Sequence, residues 1–145
     1  MSKKTNFWLF FLFILTIFSL DRLTKILFTK ESCAFIFCIK PSINPGAVFG
    51  IFPGATAVLI VIAFAVLFVA ALLLRTKEVK ESSLMQISLL LIIAGVLGNL
   101  FDRLAYGYVI DWLTFSFFKQ SFNLADAANF LGVILILVKL LKKKR

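Results

Sequence analysis

The sequence predicts an all-α membrane fold of four transmembrane helices with a small β element at one membrane face. Three observations predict it. Of 145 residues, 61% are hydrophobic and 16% charged, with a mean hydropathy of +1.03, whereas a soluble domain carries roughly 45–50% apolar and about 25% charged residues. Four stretches reach or approach the roughly 20 apolar residues that cross a bilayer core as a helix. Two of the connections contain extended, aromatic-rich runs punctuated by turn residues. The length suits one domain, residues 1–145.

The first span covers residues 7–28, provided that Asp21, Arg22 and Lys25 sit at the interface. Lys3 and Lys4 before an apolar run resemble a signal peptide. The run ends Ile17-Phe18-Ser19-Leu20-Asp21, without the small residues of a cleavage site, so an uncleaved span is expected. The first outer loop, 29–54, holds two runs that read as short strands, 34–39 and 47–52, with the turn signal Asn44-Pro45-Gly46 between them. The second span, 55–74, carries no charge, and 75–83 is a polar linker. The third span, 84–101, contains Ala94, Gly95 and Gly98; such small residues admit a neighbouring helix, or are merely tolerated glycines. The second outer loop, 102–123, holds the extended-looking run 108–118, and the fourth span is 124–141.

Four spans bring both termini to one side. That side collects ten cations: Lys3, Lys4, Arg75, Lys77, Lys80, Lys139, Lys142, Lys143, Lys144 and Arg145. The other side holds six: Arg22, Lys25, Lys30, Lys40, Arg103 and Lys119. The bias predicts cytoplasmic termini. The net charge of +9 then reads as topology and contact with anionic lipid, and no nucleic-acid partner is expected.

The chain has no histidine, which excludes Ser-His triads and His metal ligands. The acids are seven: Asp21, Asp102, Asp111, Asp126, Glu31, Glu78 and Glu81. All four aspartates fall at the outer side, and none at mid-span, where proton-coupled transporters bury their acids. Each has an ordinary explanation. Asp21 and Lys25 form an i, i+4 pair. Asp102 is a helix end. Asn123 and Asp126 fit an N-cap and an acidic first turn. Asp111, inside Tyr108-Val109-Ile110-Asp111-Trp112-Leu113, is an edge-strand carboxylate or a costly buried one. The pair Asp111 and Asp126 carries the sharper reading. Two carboxylates meeting in an apolar setting share a proton, so one takes a proton from water while the other donates to a carbonyl oxygen. That is aspartic-protease chemistry, and it needs no metal or cofactor.

Five motifs occur in order: Leu20-Asp21-Arg22-Leu23-Thr24-Lys25, Asn44-Pro45-Gly46-Ala47-Val48-Phe49, Gly98-Asn99-Leu100-Phe101-Asp102-Arg103, Gly107-Tyr108-Val109-Ile110-Asp111 and Phe122-Asn123-Leu124-Ala125-Asp126. Together they resemble the lipoprotein signal peptidase family, also called signal peptidase II. The resemblance implies a monomeric aspartic endopeptidase of the bacterial inner membrane, with four helices and an extracytoplasmic β-cradle. Its substrates are diacylglyceryl-prolipoproteins embedded in membrane lipid, cut just before the lipidated cysteine at the outer face. It implies Asp111 and Asp126 as catalytic residues, and Asp21, Lys25, Asn44, Gly46, Asn99, Asp102, Arg103 and Asn123 as supporting or substrate-binding ones. No cofactor or metal is implied. Val48 and Arg22 depart from the residues common in the family, alanine and glutamine, and neither is expected to touch the chemistry. Phe49 and Phe52 are expected to fold over the site and limit water.

Cys33 and Cys38 lie outside the family pattern. A short disulfide and two free thiols are both open readings in an oxidising outer loop. No lipobox precedes Cys33, since Lys30-Glu31-Ser32 stands there. Three rival functions differ in what they predict: a proton-coupled transporter needs mid-membrane acids, a non-enzymatic subunit changes mainly in stability or assembly on Asp→Asn substitution, and a Mg²⁺-dependent lipid-phosphate enzyme is stopped by EDTA.

Overall fold

Among the described residues, four long apolar helices and a three-stranded antiparallel sheet form the bulk of the fold. A computed structural model describes residues 3–47, 51–118 and 120–143. The helices α1 (Lys3–Leu27), α2 (Thr56–Leu73), α4 (Ser83–Tyr106) and α5 (Leu124–Lys143) correspond to the four expected spans. The third is longer than its apolar run, because Asp102 and Arg103 remain helical and are paired within the protein. The linker folds into a single short helix, α3 (Lys77–Lys80).

Helix α4 packs against α1, α2 and α5, and α1 also meets α5. Small residues set the approach. A Cβ added to Gly98 would come within 2.9 Å of both the Ala125 Cβ and the Asp21 Oδ2, and one added to Gly95 would run into the Ala125 carbonyl. Both glycines on α4 are therefore places of contact with other spans. On α5, a Cβ added to Gly132 would meet Ser88 O of α4 at 2.8 Å. Outward from this seam α1, α2 and α5 present large apolar side chains such as Trp8, Phe64 and Phe130, as lipid contact requires.

The sheet order is β1 (Ser32–Ala34), β2 (Phe37–Asn44), β3 (Val109–Phe115). The first expected strand, 34–39, instead straddles a hairpin. Ala34 pairs with Phe37, leaving Phe35 and Ile36 as a two-residue turn, with Phe35 at φ 54°. No Gly or Asn marks that turn, so the sequence does not signal it. Cys33 and Cys38 are directly opposed across the hairpin and form a disulfide. The second expected strand, 47–52, is not one among its described residues. Ala47 N–H donates to Ile51 O at 2.7 Å, and Phe52 takes a φ of 58°. Val48 and Phe49 lie outside the described residues, as do Lys144 and Arg145. Phe52 is exposed and does not line the cleft between α2, α4 and α5.

One irregularity in β2 decides which way Asn44 faces. Ile39 pairs with Leu113, but Ser42 pairs with Asp111 and Asn44 with Val109, so β2 carries one extra residue between them. Pro41 falls in this bulge, the place where a central strand tolerates a residue without an N–H. Strand side chains alternate with period two. Ile39 and Asn44, five apart, would therefore lie on opposite faces of a regular strand. The bulge puts both on the face of Leu113, Asp111 and Val109.

Candidate active site

Helix ends bring the polar residues together. Gly107, at φ 82°, ends α4 with its N–H donating to Arg103 O, and the chain turns directly into β3. Its carbonyl accepts from Thr56 Oγ1 at 2.9 Å, tying this corner to the start of α2. The chain then returns through Phe122, whose carbonyl accepts from Trp112 and Leu113 N–H, into Asn123 and α5. Asn123 Oδ1 accepts the Asp126 N–H at 2.8 Å, as an N-cap does. A second free N–H of that first turn, from Ala125, donates to Asp21 Oδ1 at 3.0 Å.

Asp111 on β3 is 2% exposed. Its Oδ1 accepts from Asn123 Nδ2 at 2.6 Å and its Oδ2 from Asn44 Nδ2 at 3.1 Å. Asp126, half-buried in the first turn of α5, accepts at Oδ1 from Asn99 Nδ2 at 2.7 Å. Its Oδ2 accepts no hydrogen bond among the described residues. The two carboxylates are joined through amides, because Asn123 Nδ2 also donates to Asn99 Oδ1 at 3.0 Å. Each amide has its orientation fixed by its neighbours. Asn99 Oδ1 faces the donors of Asn123 and Lys25, so its Nδ2 is left for Asp126. Burial, and then the charge of neighbouring Asp126, push the Asp111 carboxyl up to about 7, against the hydrogen bonds from Asn44 and Asn123.

Behind the amides lies a block of four charges. Lys25 Nζ contacts Asp21 Oδ2 at 2.9 Å and Asp102 Oδ2 at 2.8 Å. Arg22 contacts Asp21 at 2.6 Å and also pairs with Asp102. Both carboxylates are fully buried, and the block is neutral as a set. Asp102 lies near the C-terminal end of α4, where the helix dipole disfavours a carboxylate; these two cations offset it, and it accepts the Ile110 N–H at 3.1 Å, which positions the start of β3. Arg22, expected not to touch the chemistry, contacts neither Asp111 nor Asp126 but is bonded to the two supporting residues Asp21 and Asp102. On the other flank, Gly46 donates its N–H to Asn44 Oδ1 at 3.0 Å, and its carbonyl accepts from Arg103 Nη2 at 3.0 Å.

All ten site residues read from the sequence therefore meet in one hydrogen-bonded network: Asp111, Asp126, Asp21, Lys25, Asn44, Gly46, Asn99, Asp102, Arg103 and Asn123. The network borders a cleft of about 170 Å³ between α2, α4 and α5. Asn44, Asn99, Arg103 and Asp126 form its polar end, and Leu59, Ile62, Ala63, Val66 and Val96 its apolar wall. Two participants are not singled out by sequence. Arg22 reads there only as a departure from the family pattern. Asn129 also lines the cleft, and only its being an amide within an apolar span could have marked it.

Comparison with known proteins fits this arrangement. Residues 13–142 match the model of the family described as signal peptidase (SPase) II. The chain belongs to the signal peptidase II family. Among its relatives, the lipoprotein signal peptidase of Chlamydia trachomatis serovar D is 35% identical over 146 residues, covering 88% of this chain and 87% of that protein. The lipoprotein signal peptidase of Halothermothrix orenii is 34% identical over 143 residues, covering 93% and 97%. A bacterial membrane enzyme solved by the in meso method at 2.3 Å resolution superposes with a TM-score of 0.85 at 27% identity, covering 93% of this chain and 88% of that one. As a signal peptidase II family member with four spanning helices, the chain is a multi-pass membrane protease.

Proposed function

We propose that this chain is an aspartic endopeptidase that removes the signal peptide from diacylglyceryl-modified prolipoproteins, cutting just before the lipidated cysteine. The observation that carries the reading is the joining of two carboxylates through the linked amides of Asn123 and Asn99, beside an apolar cleft that Asp126 lines. Asp111 and Asp126 are the catalytic residues. A carboxyl that titrates at about 7 supports a pair holding one proton at neutral pH. The ionised partner takes a proton from water as the oxygen attacks the scissile carbonyl, and the protonated partner donates to the carbonyl oxygen. The roles reverse as the amine leaves. The pair titrates as a unit.

The remaining residues divide the work. Asn44, Asn99 and Asn123 orient the carboxylates. Asp21, Lys25 and Asp102 hold the helix ends in register, and Arg103 with Gly46 fixes the loop that carries Asn44. The apolar wall suits a signal helix entering from the bilayer, with the diacylglyceryl chains remaining in lipid. The ten-to-six cation bias supports a chain with both termini in the cytoplasm of the inner membrane and the site at the outer face. The enzyme works as a monomer.

The test is cleavage of a diacylated precursor by the purified chain in lipid, read by mass spectrometry. We expect a cut immediately before the modified cysteine, insensitive to EDTA. Asp111→Asn and Asp126→Asn should each abolish it while inserting normally. Turnover by either variant, or a cut elsewhere, overturns the proposal.

A further inference from the structure

The end of the bundle away from the carboxylates holds a second cavity, of about 350 Å³, lined by Glu78, Glu81, Ser82, Lys139 and Lys142. Along α5, Lys139 lies about 20 Å from Asp126, so this cavity sits toward the other face of the membrane. Its acidic wall is a fixed one. Val79 of α3 is 3% exposed and packs in a core with Ala70, Leu89 and Ile136. Gln86 Nε2 donates to the Val79 and Lys80 carbonyls at 3.1 and 2.8 Å. The linker is thereby pinned to α4, with Glu78 and its C-cap Glu81 on the cavity. The basic wall is one face of α5, where Lys139 and Lys142 are neighbours at i, i+3. Among the described residues no ion pair joins these lysines to these acids; Glu81 meets only the exposed Lys77, at 3.9 Å. Two charges of each sign border one space without closing it.

The charges say what fits. A lone anion would meet both glutamates, and a lone cation both lysines. A ligand that carries one phosphate and one ammonium on a short link answers both walls. A primary ammonium donates N–H bonds to carboxylates. A quaternary one seeks aromatic faces, and no aromatic residue lines this cavity among the described residues. A head group with a further carboxylate would set it against the glutamates. Ser82 is the N-cap of α4 and brings the positive end of that helix dipole to the cavity, in favour of the phosphate. Leu137, Leu140 and Leu141, beside the two lysines on α5, are exposed and offer acyl chains an apolar surface. We propose that this cavity is a lipid site that takes a phosphoethanolamine head group, its phosphate on Lys139 and Lys142, its ammonium on Glu78 and Glu81, and its acyl chains along α5. The bound lipid clasps α3 to the end of α5. The inference does not depend on the peptidase reading.

The test uses the full chain, stripped of lipid in a maltoside detergent. It is titrated with short-chain lipids bearing phosphoethanolamine, phosphocholine or phosphoglycerol heads, and with free phosphoethanolamine. Bound ligand is read by native mass spectrometry and the thermal midpoint by unfolding in detergent. We expect the phosphoethanolamine lipid to bind wild type at least about tenfold tighter than each of the other three, the weight of one charge-assisted contact, and to raise the midpoint. Glu78→Gln with Glu81→Gln should erase its preference over the phosphoglycerol lipid. Lys139→Gln with Lys142→Gln should weaken both lipids about tenfold. Glu78, Glu81 and Lys142 are exposed and Lys139 half-buried, so both double variants should keep the lipid-free midpoint of wild type. Equal binding of the three lipids to wild type overturns the inference without recourse to any variant. So does a head-group preference that survives the glutamate substitutions, or free phosphoethanolamine binding as tightly as the lipid.

Discussion

Asp111 shows how one residue's surroundings set its chemistry. A carboxyl that ordinarily titrates near 3.8 does so at about 7 here because it is buried and faces Asp126. Between these values the folded chain holds a proton that the unfolded chain has released. Stability therefore falls as pH rises from about 4 to about 7, and this contribution levels off above that. Asp111→Asn should flatten that part of the slope and raise the melting midpoint above that of wild type at pH 8, as thermal unfolding in detergent would read. An unchanged slope would mean that Asp111 is ionised in the fold. The same residue marks what a sequence discloses. Its place in an apolar run flags it, and Asn123 is legible as an N-cap. That Asn123 spends its oxygen on the Asp126 N–H and its nitrogen on Asp111 depends on two segments meeting, which residue spacing does not encode.

At the scale of elements, the bulge in β2 decides whether Asn44 reaches Asp111. Inserting one alanine between Ser42 and Ile43 reverses the face of Asn44. We expect a drop of at least about tenfold in kcat/KM, with no further loss when Asn44→Ala is added, because one hydrogen bond is removed by either change. The disulfide is a second such device. It closes a loop with a sequence separation of 5, short enough that its loss costs the hairpin about 2 kcal/mol on chain-entropy grounds. Cys33→Ser with Cys38→Ser should speed amide exchange in β1 while leaving the helices protected. The helices are readable because apolar runs of bilayer length have few alternatives. The strands are displaced from their expected positions because their boundaries turn on Phe35 at positive φ and on Pro41 in a bulge, and neither residue signals its conformation by type.

Across the whole molecule, charge pairing joins the spans. Two buried carboxylates, Asp21 and Asp102, share Lys25 and Arg22. Breaking such a set by removing one partner leaves an uncompensated buried charge, at a cost of about 3–5 kcal/mol. Lys25→Met should therefore lose that much stability in equilibrium unfolding and also lower turnover, since Asn99 loses the donor that orients it. Restoring neutrality with Asp21→Asn in the same chain should recover stability more than activity. A Lys25→Met variant as stable as wild type would show that the block does not hold the spans together. The sequence offers Asp21 and Lys25 as an interfacial pair. Their burial follows from Gly98, which lets α1 and α5 close over α4.

The bond from the Asp21 side chain to the Ala125 N–H links residues 104 positions apart, one in the first span and one in the last. A ribosome releases those spans in order, so the Asp21 carboxylate enters the bilayer long before its partner on α5 has been translated. Until then the nascent chain holds Asp111 without Asp126, and the pair proposed to be catalytic stays incomplete as the chain passes the translocon. Competence arrives with the final helix. The first span, made as a separate polypeptide, should then dock onto a chain that lacks it and restore a complete site.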